Sequence, residues 1–271
     1  MNDLHRQIAF TKEIAKEAGQ MIRCDFLDEA RFSRKDGREL VTETDVRVET
    51  HLRKRIGAEY PSHNILAEEQ GGELNLNGYL WIIDPLDGTN NFAHRFPVFS
   101  TSIALALDGE VLFGVVYDPM RDELFHSDDR QAYLNDKPIK VTDYTNLSEC
   151  ILGTGFPYDG AEDNENNLDY FRYFCLKSQG MRRCGSAALD LAYIAAGRLD
   201  GFWELKLKPW DMSAGYKIVR MAGGACTDFD GNCWQINHDR IIAANEKIHK
   251  KMLTAILATN RRKNVNDTAK I

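Results

Sequence analysis

WIIDPLDGTNNF (residues 81–92) is an apolar run that ends in two aspartates, Asp84 and Asp87, with a proline and a leucine between them. The first three residues, Trp-Ile-Ile, predict a buried strand. Such a strand delivers both carboxylates to its end, where a chain leaves the sheet and ligands usually bind. Gly88 allows the backbone to approach a ligand closely, and free amides beside it can face an anion. Carboxylates for a cation next to amides for an anion indicate a metal-assisted phosphate site.

Five acidic residues stand where predicted elements begin or end: Asp45, Glu68, Asp84, Asp87 and Asp211. No cysteine or histidine accompanies them at ligand spacing, and an all-oxygen set selects Mg²⁺ or Mn²⁺ rather than zinc. If these carboxylates met, two or three divalent ions would be needed to keep them ionised. Two such ions could activate a water molecule and stabilise a leaving oxygen.

Each of these acidic residues also has a simpler structural interpretation. Asp84 and Asp87 could form a turn around the proline. Asp211 could cap a helix, and Asp45 could be a first-turn residue that favours the helix dipole. Glu68 could be the solvated end of a strand. The spacing alone does not show that the five residues meet in space.

The composition is that of an ordinary globular protein, with 271 residues, 43% of them apolar and 28% charged. A net charge of −7 argues against broad binding to nucleic acid or to an anionic membrane. The charged N-terminus does not resemble a signal peptide, and no apolar run approaches the roughly 18 residues of a membrane span. We therefore expect a cytoplasmic protein whose six cysteines are reduced and mostly buried.

The periodicity of apolar residues predicts layers of helices and sheets. Helices are expected at 3–27, about 42–56, 185–197, 209–224 and 246–258, and strands at 64–69, 101–107, 111–119 and 200–205. Asp108-Gly109 predicts a hairpin between two of these strands. Residues 33–40 read as a loop or hairpin, residues 157–170 as an exposed connection, and the tail from 261 as frayed.

WIIDPLDGTNNF resembles the first signature of the inositol monophosphatase family, and PWDMSAGYKIVRMAGG (209–224) resembles the second. LVTETDVRVE (40–49), ILAEEQGG (65–72) and RRCGSAALDLAYIAAGRLDGFWE (182–204) resemble further family segments in the same order. The resemblance covers about residues 5–258 and is strongest to the bacterial inositol-1-monophosphatases. It implies the layered αβαβα sandwich (an α/β or α+β fold) of the inositol monophosphatase and fructose-1,6-bisphosphatase superfamily. The chain would be one compact domain, 1–271, with an N-terminal half of about 1–145 and a C-terminal half of about 146–271.

The resemblance also implies a ligand set for Mg²⁺. Glu68, Asp84 and the carbonyl of Leu86 would hold a first ion, and Asp84, Asp87 and Asp211 would hold a second. A third, weaker ion could share Glu68, and Mn²⁺ could substitute for Mg²⁺.

The implied catalytic group is the hydroxyl of Thr89, which would be hydrogen-bonded to Asp45 and would orient and deprotonate the attacking water. The amides of Gly88 and Thr89 would bind the phosphate. Glu68 would assist as a ligand of the first ion, and water would attack phosphorus directly, without a phosphoenzyme.

The implied substrate pocket comprises Gly185, Ser186, Ala187 and Glu204, together with Asp87 and Asp211 of the ligand set. Glu204 would accept hydrogen bonds from vicinal hydroxyls, although by itself it reads as a surface residue of an edge strand. Lys35 or Arg34 could approach the water at the first ion. His94 is expected at the surface, because Mg²⁺ prefers oxygen ligands.

We therefore expect a Mg²⁺-dependent phosphomonoesterase acting on inositol-1-phosphate-like polyol phosphates. By resemblance it would be a Li⁺-sensitive homodimer. The alternatives are a phosphatase for fructose-1,6-bisphosphate, 3′-phosphoadenosine 5′-phosphate, NADP(H) or histidinol phosphate, and a protein partner in transcription antitermination. We expect no direct contact with nucleic acid or membrane.

Overall fold

The computed structural model describes residues 3–28, 32–36, 39–157 and 166–268, and it describes the side chains in these ranges except those of 32–41 and 262–268. Its helices and strands are, in chain order, α1 (Asp3–Leu27), β1 (Phe32–Asp36), β2 (Glu39–Thr42), α2 (Glu43–Glu59), β3 (Asn64–Ala67), β4 (Tyr79–Asp87), α3 (Thr89–Ala93), β5 (Ser100–Leu107), β6 (Glu110–Asp118), β7 (Glu123–Ser127), β8 (Ala132–Leu134), β9 (Lys137–Ile139), β10 (Ile151–Thr154), α4 (Leu168–Cys175), β11 (Gly180–Arg182), α5 (Ala187–Ala195), β12 (Gly201–Leu205), α6 (Pro209–Met221), β13 (Ala225–Thr227), β14 (Arg240–Ala244) and α7 (Glu246–Thr268).

Five layers stack in the order helix, sheet, helix, sheet, helix. The pair α1 and α2 covers one face of a seven-stranded sheet, whose order is β3-β4-β5-β6-β7-β8-β9. The pair α5 and α6 lies between that sheet and a five-stranded sheet of order β11-β10-β12-β14-β13. The pair α4 and α7 covers the outer face of the smaller sheet. These layers confirm the αβαβα sandwich that the resemblance implies.

Strand β4 is apolar on both faces because helices cover both. Trp81 and Ile83 pack against α1 and α2, whereas Leu80 and Ile82 pack against α5 and α6. Since side chains alternate along a strand, Asp84 points toward the layer of α5 and α6. The register of β4 against β5 shifts between Asp84 and Asp87, so that a bulge lies at the two aspartates.

Helix α6 lies very close to the seven-stranded sheet at Gly114. A Cβ atom at this position would lie 2.3 Å from the carbonyl oxygen of Ala214, so a side chain there would clash with the helix backbone. Gly114 on β6 and the small Ala214 on α6 therefore set the distance between this helix and the sheet.

Two local predictions agree with the structure in detail. The turn between β5 and β6 has Asp108 and Gly109 at φ values of 50° and 83°, the left-handed conformation that a two-residue hairpin requires. Residues 33–36 and 39–40 lie in the antiparallel pair of β1 and β2, in agreement with the expected hairpin, while residues 37 and 38 lie outside the described residues. Part of the connection expected at 157–170, namely residues 158–165, lies outside the described residues.

Two other expectations were wrong. Helix α7 continues to Thr268 rather than fraying after 261, because residues 246–268 contain neither glycine nor proline. Although all six cysteines are free, only Cys150 and Cys226 are buried; Cys184 is half-buried and the other three are exposed. None of the helices in the described ranges is long and apolar enough to cross a membrane.

Candidate functional site

A cavity of about 770 Å³ lies where the end of β4 meets the N-termini of α5 and α6. Helix N-termini carry unpaired amides and a partial positive charge, so this position suits an anion. All the residues predicted for the site except Asp45 line the cavity: Glu68, Asp84, Leu86, Asp87, Gly88, Thr89, Gly185, Ser186, Ala187, Glu204 and Asp211.

Asp45 lies behind the cavity wall and contacts it through Thr89. The Thr89 hydroxyl lies 2.9 Å from Asp45 Oδ1 and 3.0 Å from the carbonyl oxygen of Leu86, and both oxygens accept from it. The other oxygen of Asp45 accepts the amide of Thr42 at 2.8 Å, which caps α2. Burial raises the pKa of Asp45, and the hydrogen bonds from Thr42 and Thr89 partly oppose that rise. Asp45 is therefore both a capping residue and the partner of Thr89.

Asp84 is a buried member of the predicted ligand set, and its pKa is strongly raised. Burial raises its pKa well above the usual range, and the neighbouring carboxylates of Glu68, Asp87 and Asp211 raise it further. One of its oxygens accepts the amide of Leu86 at 3.0 Å. The ionised form of Asp84 would therefore be stabilised by a cation bound among these groups.

Asp87 connects the end of β4 to the start of α5. Its Oδ2 accepts the Ser186 hydroxyl and, at 2.9 Å, the amide of Ala188, while its Oδ1 accepts the amide of Ala187 at 3.3 Å. Burial raises its pKa to about 6, although these hydrogen bonds favour the ionised form. Ser186 and Ala187 thus orient Asp87 in addition to lining the cavity.

Asp211 lies in the first turn of helix α6 and is held by the backbone just before the helix. Its Oδ2 accepts the amide of Lys208 at 2.7 Å. The interpretation of Asp211 as the N-cap is therefore wrong: Lys208 is the N-cap, and Asp211 bonds back to its amide from the first turn while also lining the cavity.

Glu68 follows β3, and the turn after it is held by a buried carboxylate. Glu49, which is fully buried on α2, accepts the amides of Glu69 at 2.7 Å and Gln70 at 2.9 Å. Arg53 donates to Glu49 at 2.8 Å and also to the carbonyl of Gly71. Sequence analysis missed Glu49, although its position one helical turn after Asp45 placed it on the same face of α2.

The donor chemistry of this set fits a hard divalent cation, but its arrangement is not a closed ligand shell. In the ranges that the structure describes, no group of three or more histidine, cysteine, aspartate or glutamate side chains is arranged to hold a metal ion. Glu68, Asp87 and Asp211 each raise the pKa of Asp84, so these carboxylates are nonetheless close enough to interact. Several of their oxygens are instead oriented by amides, as at Asp87 and Asp211.

Gly88 joins β4 to α3 in a conformation that requires glycine. Its φ is 100°, and a Cβ atom would lie 3.0 Å from the carbonyl oxygen of Val98. Asn91, one turn later, donates to the carbonyls of Val98 at 2.7 Å and Cys184 at 2.8 Å. This amide side chain therefore fixes α3 to the segment that precedes α5.

Glu204 lies on β12, which is an interior strand of its sheet, so the alternative interpretation as a surface residue of an edge strand is wrong. Its side chain is half-buried on the cavity wall. Burial raises its pKa well above the usual range, with a further contribution from Asp190. Burial also raises the pKa of Asp190 to about 8. Sequence analysis missed Asp190, whose signal was a lone acid in a helix that is apolar on several faces.

The remaining sequence candidates either lie away from the cavity or have side chains that the structure does not describe. His94 is exposed and does not line the cavity, as predicted. Arg34 and Lys35 lie in β1, but their side chains are not among those described. The cavity wall also includes aromatic and basic residues that sequence analysis did not recognise as a group: Phe156, Arg183, Lys206, Lys208 and Trp210.

This chain is similar to known proteins over most of its length. An inositol-1-monophosphatase of Synechocystis sp. is 45% identical over 224 residues, covering 82% of this chain and 78% of that protein. The Nus factor SuhB of Pseudomonas aeruginosa is 43% identical over 251 residues, covering 89% and 92%. The structure of the inositol monophosphatase from Anabaena (Nostoc) sp. superimposes with a TM-score of 0.87 at 40% identity, covering 95% and 97%. The family model described as "Inositol monophosphatase family" matches residues 3–262, and the chain therefore belongs to the inositol monophosphatase family.

Proposed function

We propose that this protein is a Mg²⁺-dependent phosphomonoesterase that hydrolyses inositol-1-phosphate-like polyol phosphates. Family membership makes it a phosphatase of this superfamily. The observation that carries the proposal is the Thr89 hydroxyl, which Asp45 holds at the edge of a cavity whose wall includes the four acidic side chains of the predicted ligand set.

The residues that would hold Mg²⁺ are Glu68, Asp84, Asp87 and Asp211, with the carbonyl of Leu86. When bound, divalent ions supply neutralisation of charge on the phosphoryl group and activation of water. The raised pKa of Asp84 supports this assignment, because crowded buried carboxylates need a compensating cation.

The protein's own groups then position the attacking water. Thr89 Oγ accepts a proton from the water as its own proton moves to Asp45, whose Oδ1 lies 2.9 Å away. The water oxygen bonds to phosphorus, the ester bond breaks, and the departing alkoxide takes a proton from solvent. The amides of Gly88 and Thr89, beside the positive ends of α5 and α6, favour the phosphate in this position.

Glu204 supports a polyol leaving group. Its carboxylate lies on the cavity wall, seven residues before Asp211, and it can accept hydrogen bonds from two adjacent hydroxyls. The backbone at Gly185 and Ser186 would form the opposite wall of the subsite.

The aromatic and basic side chains of the wall favour a second enzymatic candidate, a nucleotide-type phosphatase. Phe156 and Trp210 offer faces for a base, while Arg183, Lys206 and Lys208 offer charge for a second phosphate. The cavity of about 770 Å³ is large enough for such a ligand.

A substrate screen distinguishes these candidates. Phosphate release should be measured with inositol-1-phosphate, fructose-1,6-bisphosphate, 3′-phosphoadenosine 5′-phosphate and NADP, with and without Mg²⁺ and with added Li⁺. We expect Mg²⁺-dependent release that is fastest for inositol-1-phosphate. A strong preference for a nucleotide would overturn the substrate assignment, and release that is unaffected by chelation would overturn the metal assignment.

The relative named Nus factor SuhB favours an additional role as a protein partner in transcription antitermination. That role would use surface residues and would not depend on the acidic cavity. In cells that lack the chromosomal copy, an Asp84→Asn variant should then restore antitermination without restoring phosphatase activity. Loss of both together would count against a separate role.

A further inference from the structure

Asn167, immediately before α4, is fully buried and connects two strands that reach the cavity. Its Nδ2 donates to the Thr154 hydroxyl at 2.8 Å and to the carbonyl of Gly155. Its Oδ1 accepts the indole Nε1–H of Trp203 at 2.6 Å. One side chain therefore uses both its donor and its acceptor groups to join the end of β10 to β12.

A further hydrogen bond reinforces this connection. Thr154 and Trp203 face each other in the parallel pairing of β10 and β12, and the Thr154 hydroxyl donates to the carbonyl of Trp203 at 2.6 Å. Thr154 and Trp203 are also fully buried. A buried network in which every group is paired favours a single arrangement of its members.

The next residue on each strand lies at the cavity. Gly155 follows Thr154, Glu204 follows Trp203, and both line the cavity. A Cβ atom at Gly155 would lie 1.9 Å from Glu204 Oε1. The carboxyl group of Glu204 therefore occupies the space that a side chain at position 155 would fill, and a shift of this backbone would displace it.

We propose that Asn167 is a positioning residue for substrate selection, which holds Gly155 and Glu204 together so that the Glu204 carboxylate faces the polyol. This inference rests on the proposed function, in which Glu204 accepts the hydroxyls of the leaving group. Asn167 is absent from the cavity wall and acts only through its neighbours.

The test is an Asn167→Asp variant, which has the same shape and retains the acceptor for Trp203 but loses both donated hydrogen bonds. We expect the KM for myo-inositol-1-phosphate to rise roughly 10-fold, equivalent to about 1.4 kcal/mol, with kcat within about twofold of wild type. Asn167 has a left-handed backbone with φ of 69°, so Asn167→Gly removes the amide group without backbone strain. This second variant should show the same rise in KM.

The matched control is Asn166→Asp, since the neighbouring Asn166 accepts a local hydrogen bond from the amide of Leu168, at 3.3 Å, and Asp retains this acceptor. Its KM should not change. In a Glu204→Gln background, which should itself raise KM, Asn167→Asp should cause no further rise, because both changes would remove the same interaction.

Several results would overturn the inference. One is that Asn167→Asp raises KM by the full amount in the Glu204→Gln background as well. Another is that it lowers kcat while KM is unchanged. A third is that both Asn167 variants fail to fold, because that failure would assign Asn167 a purely structural role. If wild type releases no phosphate from inositol-1-phosphate, the proposed function fails and the inference fails with it. If wild type is active and Glu204→Gln raises the KM for myo-inositol-1-phosphate, the proposed function stands and only the role of Asn167 is in question.

Discussion

Replacing Glu49 by glutamine removes a negative charge from a fully buried position while keeping the size of the side chain. The carboxylate accepts three hydrogen bonds, from the amides of Glu69 and Gln70 and from Arg53, at 2.7–2.9 Å. Glutamine has a single acceptor oxygen, and its NH₂ group would face one of these donors. At least one donor is therefore left unpaired, and the other two lose a charged acceptor.

The cost follows from these losses. Hydrogen bonds to a charged group contribute about 1.5–3 kcal/mol each, against about 1 kcal/mol for neutral ones. Weakening two bonds and losing a third predicts that the free energy of unfolding falls by about 3 kcal/mol, less whatever Arg53 recovers from water. A protein of this size loses about 2–4 °C of melting temperature per kcal/mol, so we expect a decrease of about 6–12 °C.

The same change should weaken the proposed metal site, since the turn held by Glu49 follows Glu68 directly. Partners that orient a metal ligand typically contribute 10- to 100-fold to affinity, so the Mg²⁺ concentration for half-maximal activity should rise by roughly 10-fold. Melting is measured by calorimetry, and Mg²⁺ binding by titration calorimetry as well as by activity. The control is Glu59→Gln on the same helix, where an exposed pair with Arg6 is lost and neither quantity should change. A melting temperature for Glu49→Gln within 2 °C of wild type, or unchanged Mg²⁺ affinity, would refute this account.

Three further changes give distinct outcomes. Asp84→Asn should lower turnover by orders of magnitude. It should also raise the melting temperature of the metal-free protein by about 2–4 °C, because it removes a buried ionisable group. A lower melting temperature in calorimetry would contradict this. Thr89→Ala should lower kcat about 100-fold or more while leaving Mg²⁺ binding within about twofold, and an unchanged kcat would remove Thr89 from the mechanism. Burial lowers the pKa of His126 from 6.5 to about 4, so the folded state binds this proton less tightly than the unfolded state. The contribution of neutral His126 to the free energy of unfolding is present above pH 6.5 and is lost, up to about 3 kcal/mol, as the pH falls to 4. In urea unfolding at pH 7 and 4.5, His126→Gln should therefore lose less stability between the two pH values than wild type does.

The layers were predictable because each element has a strong local signal. The apolar run of β4, the Asp-Gly turn and the glycine-terminated helices each follow from periodicity or backbone conformation. The extent of α7 was misjudged because its charged final turns resemble a solvated tail, although no glycine or proline interrupts them. Short strands such as β10 and β11 have too few residues for a periodic pattern and were not predicted.

The cavity-lining residues were identified mainly through resemblance, and the groups that support them were not. Glu49 and Asn167 act through backbone amides and carbonyls of distant segments, and such partners are set by the tertiary fold. Neither residue type nor spacing reveals that Asn167 bonds to Trp203, 36 positions away. Supporting residues of this kind become visible only when the strands have been placed side by side.

The close contact between Gly114 and Ala214 has a consequence for how the cavity can evolve. Ala214 lies less than one turn after Asp211 on α6, and a helix transmits a displacement along its length as a stiff rod. A methyl group added at position 114 would lift α6 from the sheet and move Asp211 away from Asp84 without altering any residue of the cavity. The gap between these two carboxylates is thus adjustable from the hydrophobic interior, and libraries that aim to change the ion preference of the proposed metal site should include position 114.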